Sequence, residues 1–335
     1  MKKIVSHLML LSSLIFSQWF YLDQSGVTRS YYVSYPSNAV ESTPLIINMH
    51  GYGSNALEQR FYSEMDQFAH SQNITVVYPQ GFNNSWNVFT FWDASPYDDV
   101  EFIRSMIDDI SENFSIDLNK VYACGMSNGG YMSYRLACDL SDKITAFGSV
   151  TGNFMLQIID PNDCLDQDRE IPIIHFHGTN DGVVNYYPPS FDQSLTASES
   201  IDFWSDYNNL TLESLESINS NVEIYSYFNE SLLTKFVHYK VYGGGHEWFG
   251  STWAANWGFN TSEELVNFFL QYQLSDFINN QLLGDINGDS FINIQDIVLT
   301  INLVLNDDYN VLADINLDET IDVLDIVQFV NIILN

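Results

Sequence analysis

The stretch "VYACGMSNGGYMSYRLAC", residues 121–138, decides the architecture. A run of β-branched and aromatic residues enters Gly-Met-Ser-Asn-Gly and leaves in a helical pattern. Gly125 and Gly129 carry no Cβ, so a strand and a helix can close on each other around Ser127. G-x-S-x-G after a strand and before a helix is the setting of a nucleophile elbow, which holds one serine on a sharp turn. Short Gly/Ser pentapeptides also arise by chance, and it is the strand–turn–helix context that gives this one weight.

The chain around it alternates between the same two textures. "LIINMHG" (45–51), "ITVVYPQG" (74–81), "ITAFGSV" (144–150) and "IPIIHFHG" (171–178) are short apolar runs ending in turn residues. Between several of them lie helical stretches, "ALEQRFYSEMDQFAH" (56–70) and "DDVEFIRSMIDDISENF" (98–114). "FVHYKVYGGG" adds a later strand and "SEELVNFFLQYQLSDF" a closing helix. Near-continuously apolar strands separated by helices predict an α/β fold, with a parallel sheet covered on both faces. In such sheets function gathers at the carboxyl ends of the strands.

A serine hydroxyl needs a base to take its proton, and the base needs an orienting acid. Asp181 follows the strand "IPIIHFHG", and His246 sits in the glycine-rich "GGGHEW" after the next strands. The order Ser127, Asp181, His246 suits an elbow serine. Asp181 also fits a plain Asn-Asp-Gly turn, and His246 a plain loop. His70, His175, His177 and His238 read as structural. For the developing oxyanion, the expected donors are the backbone N–H groups of Asn128 and Tyr52, the latter in His50-Gly51-Tyr52-Gly53. This chemistry calls for no metal.

The 335 residues carry 11 basic and 43 acidic side chains, a formal net charge of -32. Nucleic acid and anionic membranes would repel such a surface, so neither is expected as a partner. Hydrophobic residues at 46% exclude a disordered chain. Residues 1–17 join Lys2 and Lys3 to a short apolar run, which reads as a secretory signal peptide. Export permits a disulfide among Cys124, Cys138 and Cys164, with the connectivity open; Cys124, in a strand, reads as a buried free thiol.

Residues 18–278 are expected to form the α/β domain and residues 279–335 a small duplicated module. Asp285, Asn287, Asp289 and Asp296 stand at positions 1, 3, 5 and 12 of a twelve-residue loop. Asp314, Asn316, Asp318 and Asp325 repeat them in register. Phe291 and Thr320 would offer carbonyls at position 7, and Asn293 and Asp322 would serve position 9. Two structural Ca²⁺ ions are the expected cofactors.

Two resemblances are carried by these residues. "HGYGSN", "DDVEFIRSMID", "VYACGMSNGGYMSYRLAC", "HFHGTNDGVVNY", "SIDFWSDYN" and "YGGGHEWFG" resemble the secreted esterases that group polyhydroxybutyrate depolymerases with feruloyl and acetylxylan esterases. The resemblance covers residues 28 to about 275. It implies an α/β-hydrolase fold, ester hydrolysis by Ser127, Asp181 and His246, and a Cys138–Cys164 bond. The substrate it implies is an ester-bearing plant polysaccharide, or a polyester for a polyhydroxyalkanoate depolymerase. A non-catalytic binding protein on the same scaffold is the reading of another class, against which the intact triad speaks. Tyr52 stands where many depolymerases carry cysteine, and Phe249 where proline is common; both flank the site and bear on substrate choice. The C-terminal module is similar to a type I dockerin. Ser290 and Glu319 replace its usual glycine, and Ile294-Gln295 and Val323-Leu324 replace its Ser-Thr pairs, so a cohesin partner stays open.

Overall fold

The structure is a computed structural model that describes residues 17–37, 39, 42–155, 169–230, 234–278, 283–287, 291–306, 308–316, 318 and 320–334. The expected leader (but for Ser17), Cys164 and Asp289 lie outside them.

A hairpin opens the described chain: β1 (Ser17–Gln24) and β2 (Val27–Ser34) pair antiparallel across Ser25 and Gly26, both at positive φ. Then come β3 (Thr43–Met49), α1 (Ala56–Ser63), α2 (Met65–Ser71), β4 (Thr75–Pro79), α3 (Asp99–Asn113), β5 (Ile116–Met126) and α4 (Asn128–Asp139). β6 (Ala146–Val150), β7 (Phe154–Met155), β8 (Ile173–Gly178), β9 (Ser194–Leu195) and α5 (Ala197–Tyr207) follow. The domain ends with β10 (Leu212–Asn219), β11 (Val222–Phe228), β12 (Lys235–Val241), α6 (Thr261–Phe269) and α7 (Leu274–Ile278).

Ten of these strands form one sheet in the order β1-β2-β4-β3-β5-β6-β8-β12-β11-β10. From β4 to β12 every neighbouring pair is parallel, as the apolar runs predict. Both margins correct the expectation of a parallel sheet, because they are antiparallel hairpins. Two-residue turns such as Ser25-Gly26 cannot carry a crossover helix, so the strands they join must run opposite ways. The sheet is mixed.

Alternation along the strands builds two cores. Val121 and Ala123 of β5 pack with Ile103 of α3, Leu136 of α4 and Trp204 of α5; Tyr122 and Cys124 face Met65 of α2 and Leu265 and Phe269 of α6. The helix expected over 56–70 is broken at Glu64, which adopts a left-handed φ of 53°. Its N–H closes onto the Arg60 carbonyl, and its carboxylate accepts from the Thr252 backbone N–H.

Beyond residue 283, α8 (Ile294–Asn306) packs on α9 (Val323–Leu334), one helix after each copy of the repeat. Ile297, Leu312, Ala313 and Phe329 are buried there, while Val298, Leu305, Val327 and Leu334 stand exposed.

Candidate active site

Ser127 follows β5 and caps α4 with φ 53° and ψ -120°, a strained backbone for any side chain but glycine. The two flanking glycines make it fit. A Cβ on Gly125 would lie 2.5 Å from the Gly129 backbone, and one on Gly129 would lie 2.3 Å from the Met49 carbonyl oxygen. The Ser127 N–H donates to the Val150 carbonyl at 2.8 Å, which fixes the turn to β6.

Asp181 lies just past β8 and is buried. Its Oδ1 accepts from the N–H groups of Val183 (2.8 Å) and Val184 (2.9 Å). Oδ2 lies 2.8 Å from His246 Nδ1 and 3.4 Å from His177 Nε2. Burial pushes this carboxyl up, but the neighbouring His177 and His246, which favour the ionised form through hydrogen bonding and when they carry a proton, outweigh it and hold it well below the carboxylate range. An ionised Asp181 keeps the proton of His246 on Nδ1 and leaves Nε2 open as a base.

Ser127 and His246 face one cleft of about 480 Å³, with Tyr52, Phe61, Tyr62 and Trp253 among its walls. No hydrogen bond joins Ser127 Oγ to His246 among the described residues; in free enzymes such contacts often tighten only with substrate. Phe61 and Trp253 are 63% and 71% exposed, so the cleft offers apolar surface next to the serine.

The two expected oxyanion donors flank the serine. Asn128 opens α4, and Gly51 is close enough that a Cβ there would lie 3.4 Å from Ser127 Cβ. Neither the Tyr52 nor the Asn128 backbone N–H has an acceptor among the described residues. A clamp absent from the sequence reading holds both arms. Trp86 Nε1 donates to the His50 carbonyl at 2.8 Å, and its backbone N–H donates to Asn128 Oδ1 at 2.7 Å. Asn128 Nδ2 answers to the Trp86 carbonyl at 3.2 Å. His50 accepts the Gly81 N–H on Nε2 at 3.0 Å, with Nδ1 2.8 Å from the Gly51 carbonyl. Burial lowers its pKa to about 4, so the ring is neutral and Nδ1–H donates.

His177, read as structural, brings Nε2 to 3.4 Å from Asp181 Oδ2. The available signal was the alternation of His175 and His177 on one face of β8, just before the acid. Cys124 is buried and free, as expected, and Cys138 is buried at the end of α4.

In the module, the position-12 residues do the same work twice. Asp296 accepts from the N–H groups of Ile286, Asn287 and Asn293; Asp325 accepts from those of Ile315, Asn316 and Asp322. Asp285, Asp296, Asp314 and Asp325 are buried, while Asp318 is fully exposed and takes its hydrogen bonds from Thr320 and Asn316. Among the described residues no three His, Cys, Asp or Glu side chains are gathered as a metal site. The donors are nonetheless all oxygen, and four buried carboxylates in a module without lysine or arginine suit a hard cation.

No family model matches the chain. A bifunctional acetylxylan esterase/xylanase of Neocallimastix patriciarum is 27% identical over 233 residues, covering 68% of this chain and 32% of that protein. Feruloyl esterase B of Piromyces equi is 31% identical over 164 residues, 47% of this chain and 30% of its own length. The chain thus spans about a third of these curated relatives. Among solved structures, an acetyl xylan esterase from Aspergillus awamori superposes with a TM-score of 0.56 at 14% identity, over 76% of this chain and 99% of that one. The fold is α/β-hydrolase-like. Among the described residues no helix is long and apolar enough to cross a membrane.

Proposed function

We propose that the chain is a serine esterase that cleaves feruloyl or acetyl esters of plant polysaccharide through an acyl-enzyme. One observation carries this reading: the Asp181–His246 pair opens on the same cleft as a serine held at positive φ. Ser127 Oγ attacks the ester carbonyl carbon while His246 Nε2 takes its proton. The negative charge forming on the carbonyl oxygen is met by the N–H groups of Tyr52 and Asn128, each such donor contributing about 3 to 4 kcal/mol. Collapse expels the alcohol, which takes the proton from His246, and leaves the acyl group on Ser127. Water, deprotonated by the same His246, then releases the acid. The relatives' names support the substrate class.

Export through residues 1–17, a Cys138–Cys164 bond and a dockerin-like, calcium-holding module belong to the same proposal. The repeated aspartates Asp285, Asp296, Asp314, Asp318 and Asp325, with Asp289, Asn287 and Asn316, would hold the ions together with carbonyls of Phe291 and Thr320 and with Asn293 and Asp322. Calcium would neutralise the loops and add folding free energy there, with no part in ester cleavage. The exposed apolar side chains of α8 and α9 offer a face for a protein partner.

Turnover of feruloyl, acetyl and 3-hydroxybutyrate esters tests the reading. The first two are expected to turn over and Ser127→Ala to abolish it, with a serine-directed phosphonate labelling Ser127 alone. Labelling elsewhere, or an active Ser127→Ala chain, would refute the nucleophile; preference for the hydroxybutyrate ester would refute the substrate class.

A further inference from the structure

Behind Asp181 a line of buried polar rings runs into the core. Tyr134 OH, on α4, lies 2.7 Å from His175 Nδ1. His175 Nε2 lies 3.0 Å from His177 Nδ1. His177 Nε2 lies 3.0 Å from the Val184 carbonyl and 3.4 Å from Asp181 Oδ2. All three rings are essentially inaccessible to water. The ester mechanism uses none of them directly, and polar rings kept in a core need a reason, since each must find its partners there.

The acceptors fix where the protons sit. A carbonyl and a carboxylate can only accept, so His177 Nε2 carries hydrogen. With a neutral His177 ring, Nδ1 must accept, and the donor is His175 Nε2–H. His175 Nδ1 is then an acceptor, and Tyr134 O–H donates to it. Every bond in the line therefore points the same way, from Tyr134 toward Asp181. Burial holds the Tyr134 hydroxyl protonated far beyond its ordinary range, and burial keeps His175 neutral. His238 is fixed apart from this line, its Nδ1 on the His175 carbonyl and its Nε2 toward Tyr186 OH.

We infer that His177 is a positioning residue for the acid, a neutral ring that Tyr134 and His175 lock in one tautomer, with Nε2–H on the Val184 carbonyl and against Asp181 Oδ2. The inference rests on the triad reading above. Its consequence is directional. Oδ2 then faces two N–H groups, hydrogen-bonded to His246 Nδ1 at 2.8 Å on the cleft side and 3.4 Å from His177 Nε2 on the core side, while Oδ1 receives Val183 and Val184. A carboxylate met on all sides cannot rotate, and its charge is shared away from His246. Without His177 the carboxylate is more basic, holds a protonated His246 more tightly and lets it titrate higher. Besides Asp181, the polar groups around His177 are His175 on β8, Tyr134 on α4, Tyr186 on the following loop, and His238 and Lys240 on β12.

Nitrogen-15 NMR of the histidine-labelled wild-type chain at pH 7 reads the lock without any substrate. A neutral His177 with the proton on Nε2 is expected; a protonated ring, or the Nδ1–H tautomer, overturns the inference whatever the activity. In kinetics, His177→Phe is expected to lower kcat about tenfold with KM within twofold, and to move the acid limb of kcat upward by about half a pH unit or more. His177→Gln, which can donate from nearly the same point, is expected to restore most of both. Folded His177→Phe with wild-type kcat and an unmoved acid limb would refute the role while leaving the esterase reading intact. Absence of ester turnover in the wild type would refute the esterase reading and leave the tautomer measurement to decide.

Discussion

At the residue scale, Asp181 takes hydrogen bonds on both carboxylate oxygens, and its replacement by asparagine has a definite expected outcome. An amide there would offer one acceptor oxygen where the carboxylate offers two, and its NH₂ group would face either the backbone donors or His246. In the second case His246 must carry its proton on Nε2, the wrong tautomer for taking one from Ser127. A fall in kcat of about 10³- to 10⁴-fold with little change in KM is expected from Asp181→Asn, measured on a soluble acetyl ester. A loss under tenfold would show that another acid serves His246. Ser127, Asp181 and His246 could be proposed from the sequence because each sits on a local pattern: an elbow, a strand-end turn, a glycine-rich loop. His177, His50 and Trp86 were not, and the reason is geometric. Their roles depend on partners brought close only by the sheet, as when Trp86, in an irregular segment, bridges His50 and Asn128.

At the scale of elements, the central strands and the larger helices follow from apolar period alone, whereas the sheet margins do not. β10 is exposed along its whole length and β1 only partly covered, so neither shows the apolar run that marks a central strand. One margin is pinned by a buried ion pair. Arg29 on β2 donates to Asp99 Oδ1 at 2.5 Å, and Asp99 Oδ2 accepts the Asn87 N–H at 2.7 Å, which ties the hairpin to the start of α3. Arg29→Ala is expected to cost about 3 to 5 kcal/mol by urea unfolding, because it strands a buried carboxylate. Arg29→Met with Asp99→Leu should cost less, since no charge is stranded, although the Asn87 N–H loses its acceptor; equal losses would mean that packing, not charge, is at stake. In the C-terminal module the duplication was legible, and in the fold each copy of the loop leads into a helix, α8 and α9. Chelation is expected to expose the chain beyond Leu283 to proteolysis while ester hydrolysis persists. At a hundredfold excess over its dissociation constant an ion adds about 2.7 kcal/mol, enough to decide a module with so few buried apolar residues. Chelation that stops hydrolysis and leaves this segment protected would overturn that division.

At the scale of the whole molecule, acid acts in two opposing directions. The net charge of -32 makes the native state repel itself at neutral pH, so partial protonation of surface carboxylates relieves that repulsion. The buried histidines work the other way. Burial lowers His50 to about 4 and His238 to about 3; His175 is held well below the ordinary 6.5. A group whose folded pKa is depressed gives stability that is fully present above its unfolded value and is lost as pH falls toward the folded one. For these rings the loss begins near pH 6.5 and runs to about 4 or below. Carboxylates in model peptides titrate at about 4. Between pH 6.5 and 5 the histidines therefore prevail, and stability falls with acid even though the net charge is shrinking. Near pH 5 the unfolded chain would bind about three more protons than the folded one through these rings, a slope of roughly 4 kcal/mol per pH unit. Urea unfolding of the chain at pH 6.5, 6.0, 5.5 and 5.0 measures it. In 0.5 M NaCl the self-repulsion is screened, so every midpoint should rise while the pH slope stays. A midpoint that holds level or climbs from pH 6.5 to 5 in both salts would mean that these rings are already charged in the fold. The one-way hydrogen-bond line from Tyr134 to Asp181 would fall with it, because a charged His175 has no acceptor nitrogen left to offer Tyr134.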